Sequence, residues 1–264
     1  MLWMRKYLQL TLFWQLVLLA PGLAADGPDR TRNYSLALFD HGLLYSEQTG
    51  KGIDRDFADE LIRRSHCKFT VSVLPRSRIW QLIETGALDF STSGITLPER
   101  QNFADFAWYF IDKYYLLVRT DAKAPSITDF TRNPQLKLGA IRGYRYSNST
   151  STLIDRLSND NRVSFASSID TLYQIMALNR IQGIIIEPFD LAQVASSPLR
   201  KVSTIIEFED AAVLHGLIMS KKTIPEDERR KWQSLVEGMR QDGTILKIFG
   251  RYFSPDIAET LVHF

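Results

Sequence analysis

The side chain whose setting points most directly to chemistry is Arg100. It stands in "DFSTSGITLPERQNFADF", residues 89 to 106, just past a strand end built of small residues, Ser91 to Gly94. Such a strand end lets a ligand come close to the backbone. A guanidinium presents a planar fork that matches a carboxylate through two parallel hydrogen bonds. Pro98, two residues earlier, fixes the turn, so Arg100 can be aimed and need not wander in solvent. The plain alternative is a surface arginine paired with a neighbouring acid, an arrangement worth little. Other chemistries find little support. The four histidines, His41, His66, His215 and His263, show no metal-ligand spacing and are read as surface or satisfied groups. There is no nucleophile elbow, phosphate-binding loop, dinucleotide fingerprint or zincin helix.

The elements that must hold Arg100 alternate between strands and helices. "YSLALF" (34–39) reads as a strand, and "GIDRDFADELIRRSH" as an amphipathic helix with Ile53, Phe57 and Leu61 on one stripe beside Ala58 and Ile62. "KFTVSVL" (68–74) is a second strand, "SRIWQLIETG" a helix capped by Ser77 and ended by Gly86, and "LDFSTSG" a third strand. The order repeats in the second half. There "LKLGAI", "RVSFA" and "IQGIIIE" are strands, while "NSTSTLIDRL" and "SIDTLYQIMALN" are helices, the latter with Ile169, Leu172 and Ile175 or Met176 on one face. "IQGIIIE" is a continuous apolar run of the buried parallel type. Two long extended runs, "DKYYLLVR" (112–119) and "AVLHGLIMS" (212–220), read as connectors. The helix "EDERRKWQSLVEGMRQDG" follows, striped by Trp232, Leu235, Val236 and Met239, with Gly243 at its end. This order predicts an α/β fold of two lobes, each a mainly parallel sheet flanked by helices, with ligands beyond the C-terminal strand ends. The lobes would comprise 26–112 with 214–264, and 113–213, hinged at the two connectors around a cleft suited to a small ligand.

The chain has 264 residues, 45% hydrophobic and 23% charged, enough for a sizeable core. Its first 24 residues are expected to be a cleaved signal peptide. Arg5 and Lys6 precede an apolar run from Tyr7 to Ala20, and Gly22 and Ala24 offer small residues at the cut, so the mature chain would begin near Ala25. The run is short for a membrane span, which argues against the alternative of an N-terminal anchor. Loss of Arg5 and Lys6 balances the 32 basic and 30 acidic residues, which disfavours nucleic acid or an anionic membrane as partner. A single cysteine, Cys67, excludes an intramolecular disulfide and is expected to be a small buried apolar residue. A soluble monomer retained in a periplasm fits these features.

The blocks "GIDRDFADELIRRS", "IWQLIETGALDFSTSGITLPERQNFADFAWYF", "LKLGAIRGYRYS" and "MRQDGTILKIFGRYF" resemble the family 3 extracellular solute-binding proteins. These are the periplasmic receptors of polar amino-acid ABC transporters, and the resemblance spans Tyr34 to Phe253. It implies a two-lobed hinge-closing receptor without a cofactor, an amino acid or related carboxylate as ligand, and a membrane permease as partner. Arg100 takes the place of the arginine that clamps the ligand carboxylate. Ser93 and Gly94 take the places of the strand-end donors, and Asp40 that of the acid closing the first strand. Tyr45 falls near the aromatic that stacks on the ligand. Gly143, with Tyr144 and Arg145, matches the second-lobe turn, and Glu187 the acid that takes an amino group. Ile95 and Leu97 depart from the hydroxyl residues usual in the family, and Gln182 replaces a frequent acid. Tyr109 and Phe110 are read as core. Two alternatives share the fold. One is a cyclohexadienyl-type dehydratase, with Glu187 as general acid if burial raised its pKa. The other is a sensory binding protein with no transport role.

Overall fold

The computed structural model describes residues 27–264, and the expected leader lies outside them. The first half runs β1 (Asn33–Leu38), α1 (Ile53–Ser65), β2 (Lys68–Val73), α2 (Arg76–Thr85), β3 (Phe90–Gly94) and β4 (Ala104–Asp112). The chain then crosses to β5 (Tyr115–Arg119), α3 (Ile127–Arg132), β6 (Leu138–Ile141), α4 (Asn148–Asn159), β7 (Val163–Ala166), α5 (Ile169–Ala177), β8 (Gly183–Ile186), α6 (Leu191–Ser196) and β9 (Ser203–Glu207). It returns through β10 (Val213–Ser220) to α7 (Glu226–Gln241), α8 (Thr244–Phe249) and α9 (Pro255–Val262). Among the described residues no helix is long and apolar enough to cross a membrane.

Two five-stranded sheets form, in the orders β2-β1-β3-β10-β4 and β7-β6-β8-β5-β9. Each is mixed, where mainly parallel sheets were expected. β1 pairs in parallel with β2 and β3, and β6 with β7 and β8, across the anticipated crossover helices. The antiparallel half of each sheet comes from the runs read as connectors. β10 pairs antiparallel with β3 and β4, and β5 with β8 and β9. A chain that passes directly between sheets carries no crossover helix, so it joins each sheet in the antiparallel sense.

The helices bury the faces their periodicity indicates. Ile53, Phe57, Ala58 and Leu61 of α1, and Trp232, Val236 and Met239 of α7, pack into one core around Tyr34, Phe90, Tyr109 and Phe110. Ile169, Leu172 and Met176 of α5 enter a second core with Ile184, Ile185 and Ile186. Cys67 is buried and free. Two boundaries differ from expectation. α2 starts at Arg76 with Pro75 at its N-cap, so Ser77 sits inside the first turn. A proline with φ near −60° is already shaped for a helix start, and it moves the boundary two residues earlier. Gly243, in the left-handed region at φ 78°, turns the chain from α7 directly into α8.

Candidate functional site

Two buried arginines face one another beyond the strand ends of the first sheet. Arg76 is the first residue of α2 and is 2% exposed. Arg100 opens the short 3-10 turn after Pro98 and is 7% exposed. Arg76 donates to the carbonyls of Thr92 at 3.0 Å and Ser93 at 3.4 Å, and its guanidinium lies 4.8 Å from the Phe39 ring centre and 5.5 Å from that of Tyr144. Arg100 donates to the Ile95 carbonyl at 3.2 Å and across the cleft to the Gly143 carbonyl at 3.4 Å, with its guanidinium 3.7 Å from the Trp80 ring centre. Aromatic faces and backbone carbonyls stabilise a cation partly, but neither balances its charge. Among the described residues no ion pair includes either arginine. Burial, with Arg76 and Arg145 alongside, pushes Arg100 down to about 9, and it remains a cation at neutral pH.

These groups line a cavity of about 10 Å³, room for roughly one water, bounded by Ser93 to Ile95 on one side and by Tyr144 and Arg145 on the other. The walls touch through Gly143, whose φ is 75°. A Cβ there would lie 2.7 Å from Ser77 Cα, so only glycine lets the turn after β6 rest on the start of α2. Gly94 is needed for a similar reason, since a Cβ would come 2.2 Å from the Ile218 side chain.

A second polar cluster lies behind the Tyr144 ring. Glu187, at the end of β8 and 1% exposed, accepts from Tyr144 Oη and meets His41 Nε2 at 3.1 Å. His41 also lies 3.5 Å from Asp190, whose carboxylate accepts from the Glu187 amide at 2.9 Å. Burial opposes the charge on His41, but Asp190 and Glu187 outweigh it and raise it to about 10. Burial likewise acts to raise Glu187, and the hydrogen bond and charge of His41 reverse this, leaving it below its ordinary range. Nearby, at the two crossings between lobes, Asp112 of β4 pairs with His215 of β10 at 2.9 Å. Burial and the charge of Glu187 raise Asp112 to about 7, against the pull of His215. His41, Glu187 and Asp190, and equally Asp112, Glu187 and His215, bring donor atoms within 4.8 Å of one another. Either triad could hold a divalent cation only by giving up its histidine–carboxylate contact.

The predicted residues divide. Gly94, Arg100, Gly143, Tyr144 and Arg145 come together around the cavity. Four others have side chains turned to different partners. The Ser93 hydroxyl turns away, donating to Asp54 at 2.6 Å, because the residue adopts φ 53° at the strand end. Asp40 accepts from the Glu47 amide and opens on a separate pocket of about 360 Å³ beside Phe189 and Gln193. Tyr45 is buried in the first core, since the turn after β1 bridges His41 to Tyr45 and folds the ring inward. Glu187 is occupied by His41 and Tyr144, and its lowered pKa removes the condition under which it would serve as a general acid. Of the four histidines, His41 and His215 are buried and paired. They meet acids far away in the chain, which local spacing cannot reveal. Arg76 was missed outright. Its one signal was its place after Pro75 at a helix start. A wider groove of about 510 Å³ between α1 and α8 is lined by charges that pair with each other, Arg251 with Asp56 and Arg63 and Arg64 with Glu60.

The profile of the bacterial extracellular solute-binding proteins, family 3, matches residues 42–255. No curated protein sequence matches the chain. Among solved structures, an ancestral arginine-binding protein bound to arginine is 19% identical, with a TM-score of 0.71 over 84% of this chain and 98% of that one. The arginine-, lysine-, histidine-binding protein ArtJ of Geobacillus stearothermophilus is 14% identical, with a TM-score of 0.72 over 86% of this chain and 100% of that one. The ancestral amino acid-binding protein AncCDT-1, a precursor of cyclohexadienyl dehydratase, is 17% identical, with a TM-score of 0.68 over 84% and 95%. At these identities the likeness is one of fold.

Proposed function

The chain belongs to the bacterial extracellular solute-binding proteins, family 3, and from that premise we propose that it is a periplasmic receptor. It captures a small carboxylate-bearing ligand, an amino acid or related compound, between its lobes and hands it to the permease of an ABC transporter. The observation that carries this reading is Arg100, a guanidinium buried in the cleft without an acid partner among the described residues. A buried cation in that setting is stabilised by a ligand anion that accepts its remaining N–H groups. Gly94 and the second-lobe turn Gly143–Tyr144–Arg145 supply the rest of the surround. The lobes, 26–112 with 214–264 and 113–213, would close about the two crossings, and the protein would act as a monomer without catalysis. Support for a binding role over dehydration comes from Glu187, which His41 keeps ionised.

The test is a thermal-shift screen of the mature chain against amino acids, organic acids and amines, repeated on Arg100→Ala. A ligand that binds only the folded state raises Tm, by about 2.7 kcal/mol of added stability at one hundred times Kd. A carboxylate that stabilises the parent and not the variant supports the reading. If no carboxylate shifts Tm, or the same shift persists in Arg100→Ala, the reading fails.

A further inference from the structure

The charges that surround the cavity point to a narrower ligand class, an inference that rests on the binding role proposed above. Arg76 and Arg100 line the same cavity, with Arg145 at its rim. Each buried guanidinium uses two N–H groups on backbone carbonyls, out of the five it carries. An amino-acid ligand would bring one carboxylate for these cations and one ammonium group needing an acid. The buried acids near the cleft each face a group of their own, although Asp112 and Asp190 keep carboxylate oxygens that accept no hydrogen bond. Glu187 has His41 and Tyr144, and Asp112 has His215. Asp54, the acid whose charge reaches Arg76, accepts from Thr92, Ser93 and Tyr109 at 2.6–2.8 Å. Asp190 accepts from the Glu187 amide. Glu99, beside Arg100, is exposed to water.

We propose that the cleft, once its walls part at Gly143, selects a small dicarboxylate over an amino acid, Arg100 taking one carboxylate and Arg76 the other, with His41 standing where a ligand ammonium would otherwise meet Glu187. Two anionic groups balance two buried cations, whereas an ammonium group would enter a site already positive. The raised pKa of His41 agrees with this, since the ring keeps its charge at neutral pH and so competes for Glu187.

Calorimetry on the mature full chain at pH 7.5 tests the idea with malonate, succinate and glutarate, against L-glutamate, L-arginine, L-glutamine and inorganic phosphate. Glutarate and L-glutamate share a skeleton and differ by one ammonium group. At least one dicarboxylate is expected to bind ten times more tightly than L-arginine or L-glutamine, and glutarate more tightly than L-glutamate. Arg76→Gln should weaken the dicarboxylate at least tenfold, with Arg76→Lys between. His41→Gln should shift the glutarate-to-glutamate preference toward L-glutamate, a change that general loosening of the fold would not produce. Circular dichroism checks that the variants fold, and if Arg76→Gln does not, Arg76→Lys and His41→Gln decide. Tighter binding of L-arginine, L-glutamine or phosphate than of any dicarboxylate overturns the proposal. So does a dicarboxylate Kd that stays within threefold in Arg76→Gln. Amino-acid binding that depends on Arg100 but not on Arg76 would sink this inference and leave the binding role standing. Absence of binding by every carboxylate would sink both.

Discussion

Arg100 illustrates how a binding group is kept ready at the expense of stability. Its guanidinium is nearly removed from water, close enough to Arg76 and Arg145 to be repelled, and stabilised by an indole face and two carbonyls. Replacing it with an apolar residue of similar length removes an unpaired buried charge. Arg100→Met is therefore expected to raise the Tm of the ligand-free protein by a few degrees, since about 1 kcal/mol corresponds to roughly 2–4 °C at this size. Differential scanning calorimetry reads this directly, and a lower Tm would mean the residue is structural. The same side chain should dominate affinity. Arg100→Ala is expected to cost about 2–5 kcal/mol of binding, and Arg100→Lys, which keeps charge and loses the fork, an intermediate amount. Titration calorimetry with the screened ligand measures both, and a change under about threefold, less than 1 kcal/mol, would make Arg100 a bystander.

Two short segments, the turn after β6 and the loop after β1, carry contacts between the lobes. Gly143→Ala would place a methyl group 2.7 Å from Ser77 Cα at a backbone angle that disfavours side chains. Strain of this kind is of order 1–3 kcal/mol and would act on the closed form. The variant should fold with near-parental circular dichroism, scatter X-rays as a more open particle and bind its ligand more weakly. An unchanged radius of gyration and affinity would refute the steric argument. The loop after β1 delivers His41 to Glu187 and Asp190, and Leu43 N donates to the Phe189 carbonyl at 3.1 Å. Because His41 is raised in the folded state, its contribution to stability is complete below the unfolded value near 6.5 and is lost as pH climbs toward about 10. Asp112 is also raised, to about 7, so stability falls as it ionises between about pH 4 and 7. Urea unfolding from pH 5 to 10 should show both declines. His41→Gln should flatten the upper one and Asp112→Asn the lower, and a variant that keeps the parental slope would remove its residue from the account.

At the scale of the molecule, the two sheets are joined by crossings at 112–115 and 207–213, and Asp112 and His215 sit on the strands beside them. Two short crossings with a buried ion pair alongside suit rotation of one lobe against the other, the hinge motion seen when domains close on a ligand. Small-angle scattering is expected to give a smaller radius of gyration on saturation with ligand, and no change would count against closure. The mature protein should start near Ala25 and appear in an osmotic-shock fraction. Mass spectrometry showing Met1 retained in a membrane pellet would refute this.

Periodicity located most of the elements but not β4, β9, α3, α6, α8 or α9. The stripes of α1 and α7 and the apolar run of β8 each encode one face or two, because burial on a helix or strand is a local repeat of the chain. Arg100 was legible for a related reason, since strand end, proline and arginine lie within a dozen residues and form one turn. The rest of the site has no local signature. Arg76 reads as a solvated residue at a helix start until the fold lays Phe39 and Tyr144 over it. His41, Asp112, Glu187 and His215 are separated by tens of residues, and only the packing of two lobes puts them in contact. The Ser93 hydroxyl faces Asp54 because of one backbone angle, and Tyr45 is inward because of one bridge. Composition, periodicity and turn chemistry are properties of short segments, and they determined the layers and the first arginine. Which charges share a cavity, and which are already balanced, depends on long-range contacts and desolvation that only the tertiary structure decided.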